Sequence, residues 1–176
     1  MHKRLFSILT ALVALSLITV PVFAGAKGHL NGPVSFSLGQ SLIGSGVLAG
    51  YGNIDVIVEL VGSGTGMATC TNKGGNQAPG QNPLQVEVSG IQEISASLIE
   101  NGSAPFHVVT DAPPMPSARE AGCPNNNWKV TDLFVFWTSA VITVTNPASG
   151  EVLLRQEFTC ITSGPPNESV SCTPVP

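Results

Sequence analysis

Four cysteines carry the most specific chemistry in this chain: Cys70, Cys123, Cys160 and Cys172. An even count in an exported protein points to two disulfides. Zinc binding or thiol catalysis would want a Cys-x-x-Cys or a His–Cys cluster at ligand spacing. There is no such motif, and His29 and His107 form no such cluster with the cysteines. Three pairings are open to four cysteines. We expect Cys70–Cys123, which would tie two polar loops together, and Cys160–Cys172, which would pin the Pro-rich tail Gly164-Pro165-Pro166 to the last strand. Each closed loop would contribute ~2–4 kcal/mol, mainly through the unfolded state.

Acid–base sets are weaker. A Ser-His-Asp hydrolase needs a nucleophile beside a base that a third group holds. His29 lies near the start and reads as a solvated residue of a loose terminus. His107 sits between Phe106 and Val108 in a strand pattern, so its side chain faces away from theirs. Gly62-Ser63-Gly64 is too short for a nucleophile elbow and stands in a β context. Glu87, Glu93, Glu151 and Glu157 fall on strand positions that read as the wet face. Glycoside hydrolysis would need two acids ~5–10 Å apart across a cleft. No Asp-rich run offers calcium ligands. No metal and no cofactor is expected. Asn101-Gly102-Ser103 and Asn167-Glu168-Ser169 match the N-glycosylation pattern, which matters only in a host that modifies such sites.

Binding chemistry is easier to place. Trp128 closes the run Asn125-Asn126-Asn127. A flat aromatic face beside amides suits a sugar ring, which buries its C–H face while the amides meet hydroxyls. Asn76 and Gln81, from a second polar loop, join these as candidate contacts. For Trp128 too a core role is the favoured reading, with the binding face as the functional alternative. For Trp137, inside Phe134-Val135-Phe136-Trp137, the core role is the expected one, as for a buried Trp in a sandwich.

Two long loops would carry these residues, 71–83 and 111–128. Loops of that length are uncommon in compact domains unless they serve a function or are disordered. Strand signals surround them. Residues 54–61 alternate with period two and are rich in β-branched side chains. Leu84, Val86 and Val88 alternate with Gln85, Glu87 and Ser89, as in a half-wet strand. Residues 92–99 and 105–110 flank Asn101-Gly102, a strong hairpin signal because both positions tolerate positive φ. Residues 133–145 and 151–162 flank a longer turn at 146–150. Two more runs, 34–38 and 41–48, open the set; Gly44 and Gly46 in the second suggest bulges or close packing. The run Val61 to Gly66 reads as a flexible turn. Pro116 to Gly122 fits one helical turn, capped by Ser117 and ended by Gly122. The pattern predicts an all-β fold, an antiparallel β-sandwich of immunoglobulin-like type with about seven to nine short strands, or less favourably a barrel.

The strings Cys70-Thr71-Asn72-x-Gly74-Gly75-Asn76-x-Ala78-Pro79-Gly80-Gln81-Asn82-Pro83 and Cys123-Pro124-Asn125-Asn126-Asn127-Trp128, with Phe136-Trp137-Thr138-Ser139-Ala140 after them, resemble small secreted proteins encoded in bacterial and fungal genomes. The likeness runs from about Gly39 to Cys160, and the tail beyond is less typical. It implies export and a compact domain, and nothing about chemistry.

The start of the chain agrees. Basic Met1-His2-Lys3-Arg4 precedes an apolar run from Leu5 to Val20, then Pro21-Val22-Phe23-Ala24. Basic, apolar, then small residues is the layout of a signal peptide. A membrane anchor would want ~20 apolar residues. We expect a signal peptide over 1–24, cut after Ala24, and one secreted β domain over 25–176 with a flexible Pro-rich tail from about 163. Hydrophobic residues make up 43% of the chain and charged ones 10%, which favours a folded domain over disorder. Removing Lys3 and Arg4 leaves five Lys/Arg against eleven Asp/Glu. With no basic patch, nucleic acid and anionic membrane are poor partners, and no insertion into the membrane is expected after cleavage. The expected function is a secreted, non-catalytic binding domain for a cell-surface or carbohydrate ligand. A hydrolase whose site assembles only in three dimensions, and a structural component of an envelope or coat, are the alternatives.

Overall fold

The computed structural model describes residues 28–39 and 41–176; the expected signal segment and its cut site lie outside them. Ten strands occur among the described residues: β1 (His29–Leu30), β2 (Ser35–Leu38), β3 (Leu42–Ala49), β4 (Val56–Thr71), β5 (Gln77–Pro79), β6 (Leu84–Ile94), β7 (Ser103–Val109), β8 (Lys129–Thr145), β9 (Val152–Ser163) and β10 (Ser169–Pro174). One 3-10 turn, Ala96–Leu98, interrupts them. The fold is an all-β antiparallel sandwich with two disulfides. Ten strands replace the expected seven to nine, and β4 and β8, at 16 and 17 residues, are not short.

In the smaller sheet β3 is central. β1 and β2 share one of its edges and β7 takes the other. The larger sheet runs β10-β9-β8-β4, with β5 and β6 sharing the far edge of β4. The core lies between the sheets. Leu42, Leu48, Phe106 and Val108 come from the smaller sheet; Val58, Leu60, Trp137, Ile142 and Phe158 come from the larger. Phe36 of β2 meets Phe158 of β9 edge-on, with ring centroids 5.0 Å apart, so the two layers also touch at that side.

The period-two pattern of β4 does not stop at Val61. Val56, Val58, Leu60, Gly62, Gly64, Gly66, Ala68 and Cys70 all face inward, and the expected flexible turn over Val61–Gly66 is instead the middle of this strand. The glycines are there because the space is taken. A β carbon on Gly62 would lie 2.9 Å from Leu42 and 3.1 Å from the Trp137 ring; one on Gly66 would lie 2.9 Å from Leu133. One on Gly64 would overlap the Phe136 carbonyl oxygen. Turn composition and close packing use the same residue, so the sequence pattern misled. Gly44 and Gly46 of β3 are close-packed too, against Leu60 and Phe106 respectively.

The Asn101-Gly102 turn forms, with φ of 51° and 74°, closed by paired Glu100 and Ser103 hydrogen bonds of 2.9 Å. The hairpin expected around it does not. One bridge remains, and the chain then changes sheets. Asp55 Oδ1 accepts from the Ala96 amide at 2.7 Å and anchors the 3-10 turn at the end of β6. On the far side Gly50 donates to the Gly102 carbonyl at 2.8 Å and Ser103 Oγ to the Leu48 carbonyl at 3.0 Å, drawing β7 onto β3. The 146–150 hairpin forms as expected between β8 and β9. The segment from about 163, expected as a flexible tail, forms β10 against β9, where Cys172 lies directly opposite Cys160.

Tyr51 is the largest fully buried side chain, 1% exposed. Gly28 lies so close to its ring that a β carbon there would overlap it. Its hydroxyl has no hydrogen-bond partner among the described residues, and burial pushes the phenol up from 10.0 to about 12. The unfolded chain ionises first, so the Tyr51 contribution to stability is flat below pH 10 and falls as pH rises from 10 toward 12. Tyr51 is the sole tyrosine, so an absorbance titration reads it directly. We expect a midpoint near 12 folded and near 10 in denaturant. Tyr51→Phe folds and lacks the alkaline loss of stability. A midpoint near 10 in the folded protein would contradict this.

Candidate functional site

The end of β4 delivers Cys70 and Thr71 to the first polar loop, and that loop is built by Asn72. Its Oδ1 accepts from the Gly74 amide at 2.9 Å and the Asn76 amide at 3.0 Å, while its own amide donates to the Asn76 carbonyl at 3.0 Å. Asn side chains close turns in this way because they mimic a backbone carbonyl. Gly75 takes the positive φ of 80° that the turn requires. The chain then returns as β5, so the segment 71–83 is a short hairpin with an ordered return.

The second loop has two local motifs. Ser117 Oγ accepts from the Glu120 amide at 3.2 Å and the Glu120 carboxylate accepts from the Ser117 amide at 2.8 Å, a reciprocal capping box. The Ser117 amide that donates to this carboxylate, and with it the Ser117 hydroxyl, hold the Glu120 carboxyl below its ordinary value. Gly122, at φ 67°, ends the turn, as its position predicts. Further on, Asn125 Oδ1 accepts from the Asn127 amide at 3.0 Å and the Asn125 carbonyl from the Trp128 amide at 3.1 Å. This second turn sets the ring of Trp128 just before β8.

The loops are stitched together. Cys70 and Cys123 are joined, with Cα atoms 5.8 Å apart. Gln81 and Asn82 amides donate to the Gly122 and Ala121 carbonyls at 3.3 and 3.2 Å, and Asn82 Nδ2 donates to the Glu120 carbonyl at 3.0 Å. The result is a shallow, open trough of about 410 Å³, lined by Asn72, Lys73, Gly74, Asn125, Asn127 and Trp128. Trp128 is half-buried and the asparagines beside it are exposed.

Of the residues singled out from sequence, Asn125, Asn127 and Trp128 line this trough. Asn126 is exposed between its neighbours and does not line it. Asn76 serves the turn through its backbone. Gln81 lies on the seam between the loops and donates Nε2 to the Pro79 carbonyl at 3.3 Å. Asn72 and Lys73 went unnoticed in sequence. Asn72 had a signal: an Asn two residues before Gly-Gly is an Asx-turn pattern. Lys73 had none. Trp137, 3% exposed, is a core anchor.

The remaining chemistry is scattered. His107 Nδ1 lies 2.8 Å from Ser45 Oγ on the exposed face of the smaller sheet. Neither residue lines the Trp128 trough, and among the described residues no carboxylate is hydrogen-bonded to the imidazole. His29 belongs to β1, exposed, rather than to a loose end. Glu87, Glu93, Glu151 and Glu157 are exposed; Glu157 pairs with Arg155. Among the described residues no group of three His, Cys, Asp or Glu side chains is placed to hold a metal ion.

No protein-family model matches the chain, and no curated protein matches it. Among solved structures, the chain overlaps a calcium-binding mutant of Bacteroides uniformis beta-glucuronidase 2 at a TM-score of 0.21 and 10% identity. The overlap takes in 82% of this chain and 14% of that one, and a likeness that slight carries no argument.

The two staples differ in the length of chain they close, 53 residues for Cys70–Cys123 and 12 for Cys160–Cys172. Loop closure then assigns about 4 kcal/mol to the first and about 3 kcal/mol to the second. Replacing each pair by alanine and measuring urea midpoints should rank the losses in that order. A larger loss from the tail pair would show that strand pairing, not loop closure, sets the contribution.

Proposed function

We propose that this chain is exported and acts outside the cell as a non-catalytic binding domain, with the trough at Trp128 as its contact face and a saccharide of a cell surface or wall as its ligand. The observation that carries this is the half-buried Trp128 ring with Asn125, Asn127 and Asn72 around it. A sugar ring could bury its apolar face on the indole and place hydroxyls on the amides. The base under the ring is held by a disulfide and by backbone hydrogen bonds between the loops. Little ordering entropy would be lost on binding, which favours affinity at a small site.

Export rests on two supports. Both disulfides fit an oxidising compartment, and the basic–apolar–small start has the signal-peptide layout. Among the described residues no helix is long and apolar enough to cross a membrane.

Two experiments test this. Purified protein is mixed with insoluble polysaccharides and cell-wall preparations, and retention and Trp fluorescence are read. Retention should come with a shift in emission, and Trp128→Ala should abolish both without changing the circular dichroism. Retention unaltered by Trp128→Ala would move the contact face elsewhere. For export, the protein should be found in the culture medium with Gly25 as its first residue. Detergent-resistant association with the envelope would favour the structural-component reading instead.

A further inference from the structure

The trough at Trp128 differs in charge from the rest of the surface. All eleven Asp/Glu of the chain fall among the described residues, against four cations: Lys73, Arg119, Lys129 and Arg155. Arg155 pairs with Glu157, the sole ion pair among the described residues. The other three cations belong to the stapled loops or to the residue that follows Trp128. Lys73 lines the trough directly. Four other depressions each carry at least one carboxylate, Asp55, Glu87, Asp132 and Glu157 among them. The Trp128 trough carries an ammonium and no carboxylate.

Resting on the binding function proposed above, we infer that the ligand is an acidic saccharide. Its ring stacks on Trp128 and its carboxylate or phosphate group meets Lys73. An ammonium is a compact point charge that accepts either anion, and it needs no bidentate geometry. The acid excess of the whole protein disfavours indiscriminate attraction of polyanions. Selection therefore depends on Lys73 and Trp128 lining one trough, where one ligand can meet both at once. Asn72, Asn125 and Asn127 supply donors and acceptors for the hydroxyls between those two points.

Cellulose, carboxymethyl-cellulose and phosphocellulose present one sugar backbone with no charge, a carboxylate or a phosphate. The protein should be retained on the charged forms and about tenfold less on cellulose, as for one charge-assisted contact. Lys73→Ala should remove that difference, Lys73→Arg should keep it, and Trp128→Ala should lose retention on all three. The stronger of the two charged forms names the anion. Equal retention on all three, unchanged by Lys73→Ala, overturns the acidic ligand and leaves the binding function standing. So does retention on wall preparations but on neither charged form. Retention that survives Trp128→Ala and falls as much with Lys129→Ala as with Lys73→Ala marks plain ion exchange and also overturns the inference. No retention on any polysaccharide or wall, with the fold intact, overturns both.

Discussion

The close approach of Trp137 to the glycine face of β4 is the contact on which the rest of the sandwich depends. Trp137 is 3% exposed; its ring lies against Gly62, and the backbone of Phe136 and Trp137 lies against Gly64. A large indole in an inward position of β8 is compatible with the adjacent strand only if that strand presents no side chains there. The register shifts at this point: Gly64 faces Trp137, Ser63 faces Ser139, and Thr138 is the extra residue. Such a bulge bends the strand and re-aims the residues beyond it. Its position on β8 separates the half that pairs with β9, from Ser139 onward, from the half that leads back to Trp128.

The length of β4 follows from the same kind of close packing, to which Leu133 adds at Gly66. Because glycine at 62, 64 and 66 replaces inward side chains without breaking the alternation, the strand continues to Ala68 and Cys70. Its first part pairs with β6 and its last three residues with β5. One strand thus runs from the core to the loop end and carries Cys70 there in a fixed orientation. Cys70 is fully buried, so the staple is anchored in the sheet and its free end, Cys123, holds the second loop. The trough is the consequence: the two loops are tied together at one strand end, and Trp128 of the second lines it with Asn72, Lys73 and Gly74 of the first.

Cavity-lining chemistry and protein-wide charge run in opposite directions at that place. The acids are spread over wet strand faces and turns, where they are solvated and keep exposed strands apart from other chains. Among the described residues, Lys73 and Arg119 sit on the stapled loops and Lys129 directly follows Trp128. Neither distribution alone says much, since a surface lysine is ordinary. Lys73 becomes informative because it lies within the turn that Asn72 closes and lines the same trough as Trp128.

Much of the fold was legible in local pattern. Period-two alternation marked the first part of β4 and the start of β6, the turn at 146–150 marked the runs that became β8 and β9, and Ser117 and Gly122 marked the capped turn, because each depends on interactions within a few residues. The pairing of four cysteines was open by arithmetic; the order of the loops made Cys70–Cys123 and Cys160–Cys172 the expected choice, and the structure has both. Where the sequence misled, a local signal met a distant partner. Val61 to Gly66 has the composition of a turn, and only Trp137 and Leu42 packed across it make it a strand. Asn101-Gly102 makes its turn, and only the hydrogen bonds to Leu48 and Gly50 decide that β7 joins the other sheet. Trp128 with its asparagines could be picked out by residue type. That Lys73 and Asn72 line the same trough, while Asn76 and Gln81 serve the loop itself, was decided by a disulfide and a set of backbone bonds joining segments roughly forty to fifty residues apart, and contacts over that separation leave no periodic trace in the chain.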